Sequence, residues 1–199
     1  MTVHNLKKNK IMKKIILVFA LMIICNINAQ RTISLAQAYE YFKSPNGIPE
    51  DVSYVKDTNN DLNKFIGTWK GNYDGKTYIF RFIKKIKSGE YDIKWDYLVG
   101  KLKVTDNKGN ILYNTFSLDD DKTYFSGTYL QHQSYIMDFI VNTYCNDSGV
   151  VFLRIYDNQP NKMKVLFDRD RTWYDPKKCP NYETYETTLP QKSFVLTKQ

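Results

Sequence analysis

Histidine is almost missing from this chain of 199 residues, which holds two, His4 and His132. A zinc site needs three or four converging ligands, and an activated serine or cysteine needs a base, so both chemistries begin without their usual partner. His132 lies in Gln131-His132-Gln133-Ser134 between two expected strands, the setting of a solvated loop histidine. Glycine is sparse and forms no phosphate cradle: Asp74-Gly75-Lys76 and Lys108-Gly109-Asn110 read as hairpin turns, not as loops feeding helices. No Gly-x-Ser-x-Gly elbow occurs. The apolar run Ile15 to Cys25 has 11 residues, short of the roughly 20 that a membrane-crossing helix needs.

That run has a different reading. Lys7, Lys8, Lys10, Lys13 and Lys14 precede it and Ala29 follows it, the layout of a signal peptide over 1–29 with cleavage expected after Ala29. A lipid anchor would need a small residue before the modified cysteine, whereas Ile24 precedes Cys25. The product would be exported, periplasmic or secreted. The five leader lysines account for five of the net charge of +8 and leave +3 for the rest. Along that remainder Lys alternates with Asp and Glu, which argues against nucleic acid as a partner. Cys145 and Cys179 are then the remaining cysteines, and an even pair in an exported chain favours a disulfide over two buried thiols.

Residues 30–61 read as an N-terminal extension, partly ordered at best. A short helix is expected around Leu35 to Phe42, before the breakers Ser44-Pro45-Asn46-Gly47 and Pro49. Asp57 to Asn60 offer caps for one or two helical turns before Leu62 and Phe65. From Gly67 onward Tyr, Phe, Ile, Val and Thr recur in short runs parted by turns, which predicts one all-β domain over 62–199.

The clearest hairpin is Thr68 to Tyr73, Asp74-Gly75, then Thr77 to Ile83, with Tyr78, Phe80 and Phe82 on one face. The next strand carries Tyr91, Ile93, Trp95 and Tyr97 on one face and then shifts to Leu102 and Val104. A bulge or bend is therefore expected at Gly100. Further strands are expected at Ile111–Phe116, Tyr124–Tyr129, Ile136–Thr143, Val150–Ile155, Met163–Phe167 and Phe194–Thr197. With no stretch long enough for a crossover helix, they should run antiparallel. The expected architecture is an antiparallel β-barrel of about eight to ten strands with a short N-terminal helical segment.

The segment Asp61-Leu62-Asn63-Lys64-Phe65-Ile66-Gly67-Thr68-Trp69-Lys70-Gly71 resembles the start of lipocalin and fatty-acid-binding-protein barrels, where a helical turn precedes a Gly-x-Trp. The resemblance implies a lipocalin-like barrel with the tryptophan plugging its floor and a late cation across it, here Lys198 or Arg154. Over Asp57–Lys84, Val99–Tyr113, Val150–Ile155 and the closing Leu-Thr-Lys-Gln, the chain also resembles a family of exported bacterial proteins that form a domain of unknown function. That family brings a fold but no activity or ligand.

Asp119-Asp120-Asp121 lacks the alternating ligands of a calcium loop and reads as an acidic turn, so no metal and no cofactor is expected. The conspicuous supply is aromatic, with 16 tyrosines. Trp69, Tyr78, Phe80, Phe82, Trp95 and Tyr97 are the candidates to line a cavity for a small apolar molecule, or else to fill the barrel. The leading expectation is a monomeric, non-enzymatic binding barrel. Its rival is a filled barrel that meets a protein partner through exposed tyrosines, and carboxylates doing acid-base work are a third option.

Overall fold

A computed structural model describes residues 30–89, 92–171 and 174–199. The expected leader and Tyr91 lie outside the described residues. Strands β3 (Gly67–Tyr73), β4 (Lys76–Ser88), β5 (Lys94–Thr105), β7 (Phe125–Gln131), β8 (Ser134–Asn142), β9 (Asp147–Ile155), β10 (Lys162–Arg169) and β11 (Phe194–Lys198) form a closed barrel in the order β5-β4-β3-β11-β10-β9-β8-β7. The ring closes where Val99 of β5 pairs with Ser126 of β7. Three short strands lie outside it: β1 (Arg31–Ser34), β2 (Val52–Lys56) and β6 (Ile111–Asn114).

The β3–β4 hairpin forms as expected, because Asp74 (φ 47°) and Gly75 (φ 69°) supply the two left-handed residues of a tight turn. Tyr78, Phe80 and Phe82 point inward and are buried. Trp69 is fully buried, its Nε1 donates to the Phe65 carbonyl at 2.7 Å, and the Lys198 Nζ sits 5.2 Å over its ring. Of the two cations the resemblance offered, Lys198 fills the place, while Arg154 lies over Tyr156.

Two expectations need correction. Every strand expected from Gly67 onward pairs antiparallel, but the extension adds two that were not expected, and these run parallel: β1 with β2, and β2 with β5. Helix α1 (Leu35–Lys43) makes the crossover, and nine residues suffice because β1 and β2 are themselves so short. A reciprocal capping box between Ser34 and Gln37 starts it. The extension is therefore ordered, and Ile33, Leu35, Ala38, Val52 and Val55 join the barrel core.

The second correction concerns Gly100. β5 keeps one parity throughout, with Leu98, Gly100 and Leu102 facing in opposite Lys84, Phe82 and Phe80. The irregularity lies across the ladder, between Lys85 and Ser88 of β4, where Lys87 adopts φ 47°. Gly100 serves close packing instead, since a Cβ there would overlap the Phe125 ring.

Buried carboxylates fasten the extension and the C-terminal segment to the barrel. Asp57 accepts from Lys84 Nζ at 2.6 Å, the Asp61 N–H at 2.7 Å and the Leu62 N–H at 3.2 Å. Asp96 accepts from the Tyr54 hydroxyl and from the Asp57 and Lys87 N–H groups. Asp147, whose carboxyl burial pushes up, accepts from Thr188 and the Tyr185 hydroxyl. Nearby, Cys145 and Cys179 form the disulfide, with Cα atoms 5.4 Å apart.

Candidate functional site

The six aromatic candidates separate into two places. Trp69, Tyr78, Phe80 and Phe82 pack in the lumen among Phe125, Phe139, Phe167 and Phe194, with ring centroids 5.8 Å apart for Phe82–Phe125 and 5.1 Å for Phe125–Phe139. Large edge-on rings fill that volume. Trp95 and Tyr97 stand on the outer face of the same wall, because β5 does not change parity. One lining is thus two surfaces, back to back.

The outer surface follows from how β5 shares its free edge. It pairs with β2 at Tyr54↔Lys94 and Val55↔Trp95, with β7 at Val99↔Ser126, and with β6 from Lys103↔Asn114 to Thr105↔Ile111. β5 and β7 therefore meet at one residue pair and splay on either side. Side chains satisfy the backbone groups that the splaying leaves over. The Tyr135 hydroxyl accepts the Leu98 N–H at 3.0 Å, reaching through space that Gly127 keeps clear of any Cβ, and Thr115 Oγ1 accepts the Leu102 N–H at 2.9 Å. Burial holds the Tyr135 hydroxyl well above the usual tyrosine range.

Helix α1 covers the upper gap. Phe42 stacks on Trp95 with centroids 5.9 Å apart, and Tyr39 stacks on Tyr129 at 5.5 Å. Below this lid a groove of about 560 Å³ runs along the seam. Ile93, Trp95, Tyr97 and Val99 form its apolar floor, Phe42 of the lid also lines it, and Tyr124 stands at its lip, 65% exposed and held at φ 49°. Ser88, Thr128, Asp120 and Asp121 supply polar groups at the rim, and an adjoining groove of about 490 Å³ shares Tyr97, Val99 and Asp120.

The acidic turn has a structural use. Asp120 bridges Lys85 at 2.5 Å and Lys101 at 3.0 Å, and these two ammonium groups hold its carboxyl below the usual range. Asp119 instead pairs with Lys122. Among the described residues no group of three or more His, Cys, Asp or Glu converges as metal ligands would. His132 sits in the β7–β8 turn at φ 53°, its ring 5.9 Å from that of Tyr39 and steeply inclined to it. Sequence reasoning missed Phe42 and Tyr124 as groove residues. The alternation Ile93, Trp95, Tyr97, Val99 is the available signal, although it lines the outer face of the wall and not the lumen.

No helix among the described residues is long and apolar enough to cross a membrane. Residues 12–199 match the model of a family described as of unknown function (DUF6705). No curated protein and no solved structure matches the chain.

Proposed function

We propose that this chain, which belongs to the family of unknown function DUF6705, is an exported, monomeric, non-catalytic barrel that binds a small, partly apolar molecule in the groove beside the β5–β7 seam. The observation that carries this reading is the aromatic groove itself. Its volume of about 560 Å³ falls within the range of small-molecule sites, and polar groups stand at one rim of an apolar floor. The packing of Phe80, Phe82 and Trp69 against their neighbours favours the seam over the lumen as the place of binding. The non-catalytic part of the reading rests on Asp57, Asp96 and Asp120, each saturated by fixed donors and so poorly suited to shuttling a proton.

Titration with an environment-sensitive fatty-acid dye tests the reading. Trp95→Ala and Tyr97→Ala are each expected to weaken binding about fivefold, the scale of one lost aromatic contact. Phe80→Ala should lower stability and leave dye affinity unchanged. No binding by the wild type at micromolar dye, or weakening by Phe80→Ala alone, would overturn it.

The filled lumen also favours a second reading, a protein-interaction module that presents exposed tyrosines such as Tyr124 and Tyr144. It predicts that the dye does not bind and that Tyr124→Ala abolishes capture of a protein partner from an envelope extract.

A further inference from the structure

Lysines that alternate with acids along the chain are sorted by the barrel register. Across the outer wall, one hydrogen-bonded row runs Lys103, Ile79, Lys70, Thr197, Lys162 through β5, β4, β3, β11 and β10. The row on one side holds Lys101, Arg81 and Thr68. The row on the other holds Val195, Lys164, Arg154 and Ser134. No Asp or Glu occupies any of these positions.

Lys70, Arg81, Lys103, Arg154, Lys162 and Lys164 form no salt bridge among the described residues, and the neutral Gln133 and Thr197 are what Arg154 and Lys162 hydrogen-bond. Arg154 stands directly opposite Lys164, a pairing of like charges that weakens a sheet. Cations two strands apart are about 10 Å from one another, near one Debye length, so their fields add. The chain beyond its expected leader carries a net +3, which makes this wall more basic than the molecule as a whole.

We propose that this wall docks on an anionic lipid surface, a property independent of the seam groove. The chemistry separates this from other polyanions. Four of the six unpaired cations are lysines, point charges on flexible stems that suit a fluid array of headgroups more than a bidentate phosphate site. No aromatic ring stands in the three rows to stack on a base, and the nearby rings of Phe116 and Tyr156 already lie under Arg81 and Arg154. Val195, 53% exposed beside Lys164, offers an aliphatic contact at the headgroup boundary.

Co-sedimentation of the full chain with vesicles tests the docking, using phosphatidylcholine alone and phosphatidylcholine with roughly one-third phosphatidylglycerol. Each lysine near such a surface multiplies partitioning about fivefold, so Lys70→Gln/Lys162→Gln/Lys164→Gln, which clears the sector β3–β11–β10, should lower it roughly a hundredfold. Lys56→Gln/Lys108→Gln/Lys177→Gln removes the same charge elsewhere and should cost far less. Equal losses in the two triple variants would overturn the proposal. So would equal binding to both vesicles, or retention on a phosphodiester oligonucleotide with none on vesicles. Thermal unfolding checks that each variant folds, and the wild type supplies a test without mutation: its partitioning must fall steeply with added salt, and salt-insensitive binding would sink the idea.

Discussion

Replacing Asp57 by asparagine probes the clasp that holds the N-terminal unit to the barrel. The Asp57 side chain has no exposure and Lys84 only 13%, so the pair is shielded from solvent. Breaking such a pair strands a charge and typically costs 3–5 kcal/mol, against the few tenths of an exposed pair. The substituted amide would also keep one acceptor oxygen where the carboxylate serves three donors. The Asn63 Oδ1, 3.2 Å from the Lys84 ammonium, offers partial relief and places the expected loss at the lower end, about 3 kcal/mol. For a domain of this size that lowers Tm by about 6–12 °C. Urea unfolding of Asp57→Asn, Lys84→Met and the double variant gives the coupling. The double variant should recover part of the loss, because the uncompensated ammonium is gone. A loss below about 1 kcal/mol for Asp57→Asn, with no coupling to Lys84, would refute the clasp.

Gly100→Ala should cost about 1–3 kcal/mol by driving a methyl group into Phe125, and Phe125→Leu should restore part of it; a neutral Gly100→Ala in denaturant titration would contradict the packing. The Cys145–Cys179 bridge spans 34 positions, for which chain entropy gives about 4 kcal/mol. Cys145→Ser/Cys179→Ser should lose about that much in urea, and a wild type whose unfolding ignores reductant would count against the bond. Burial pushes the hydroxyls of Tyr54, Tyr78, Tyr113 and Tyr185 up to about 12, from 10.0. The stability they contribute is fully present below pH about 10 and is lost as pH rises toward about 12. Ultraviolet titration of the folded protein should therefore show a late tyrosine class that vanishes in denaturant, and a single step near pH 10 in both states would exclude it.

The barrel was legible where local chemistry and burial agree. Asp74-Gly75 specifies its turn by backbone sterics alone, and the alternation of Tyr78, Phe80 and Phe82 with Arg81 marks the inner face. Trp95 and Tyr97 misled for the opposite reason. An outward face partly covered by a helix and a loop carries the same aromatic alternation as an inward one, and only the ladder to β4 decides between them. Helix α1 formed where it was expected, but the strands on either side of it stayed hidden, because four and five residues hold too few positions to show a period. The groove itself was beyond local reading, since it arises where β5 and β7 part company, a relation between segments distant in the chain.

The place of β11 carries a consequence for assembly. It lies between β3, which opens the barrel's sequence, and β10, and it brings Lys198 to residues 134 positions earlier. A cylinder whose first stave touches its final one stays an open trough until the whole ring has been delivered. Such a chain folds slowly and late, with its hydrophobic inner wall uncovered in the meantime.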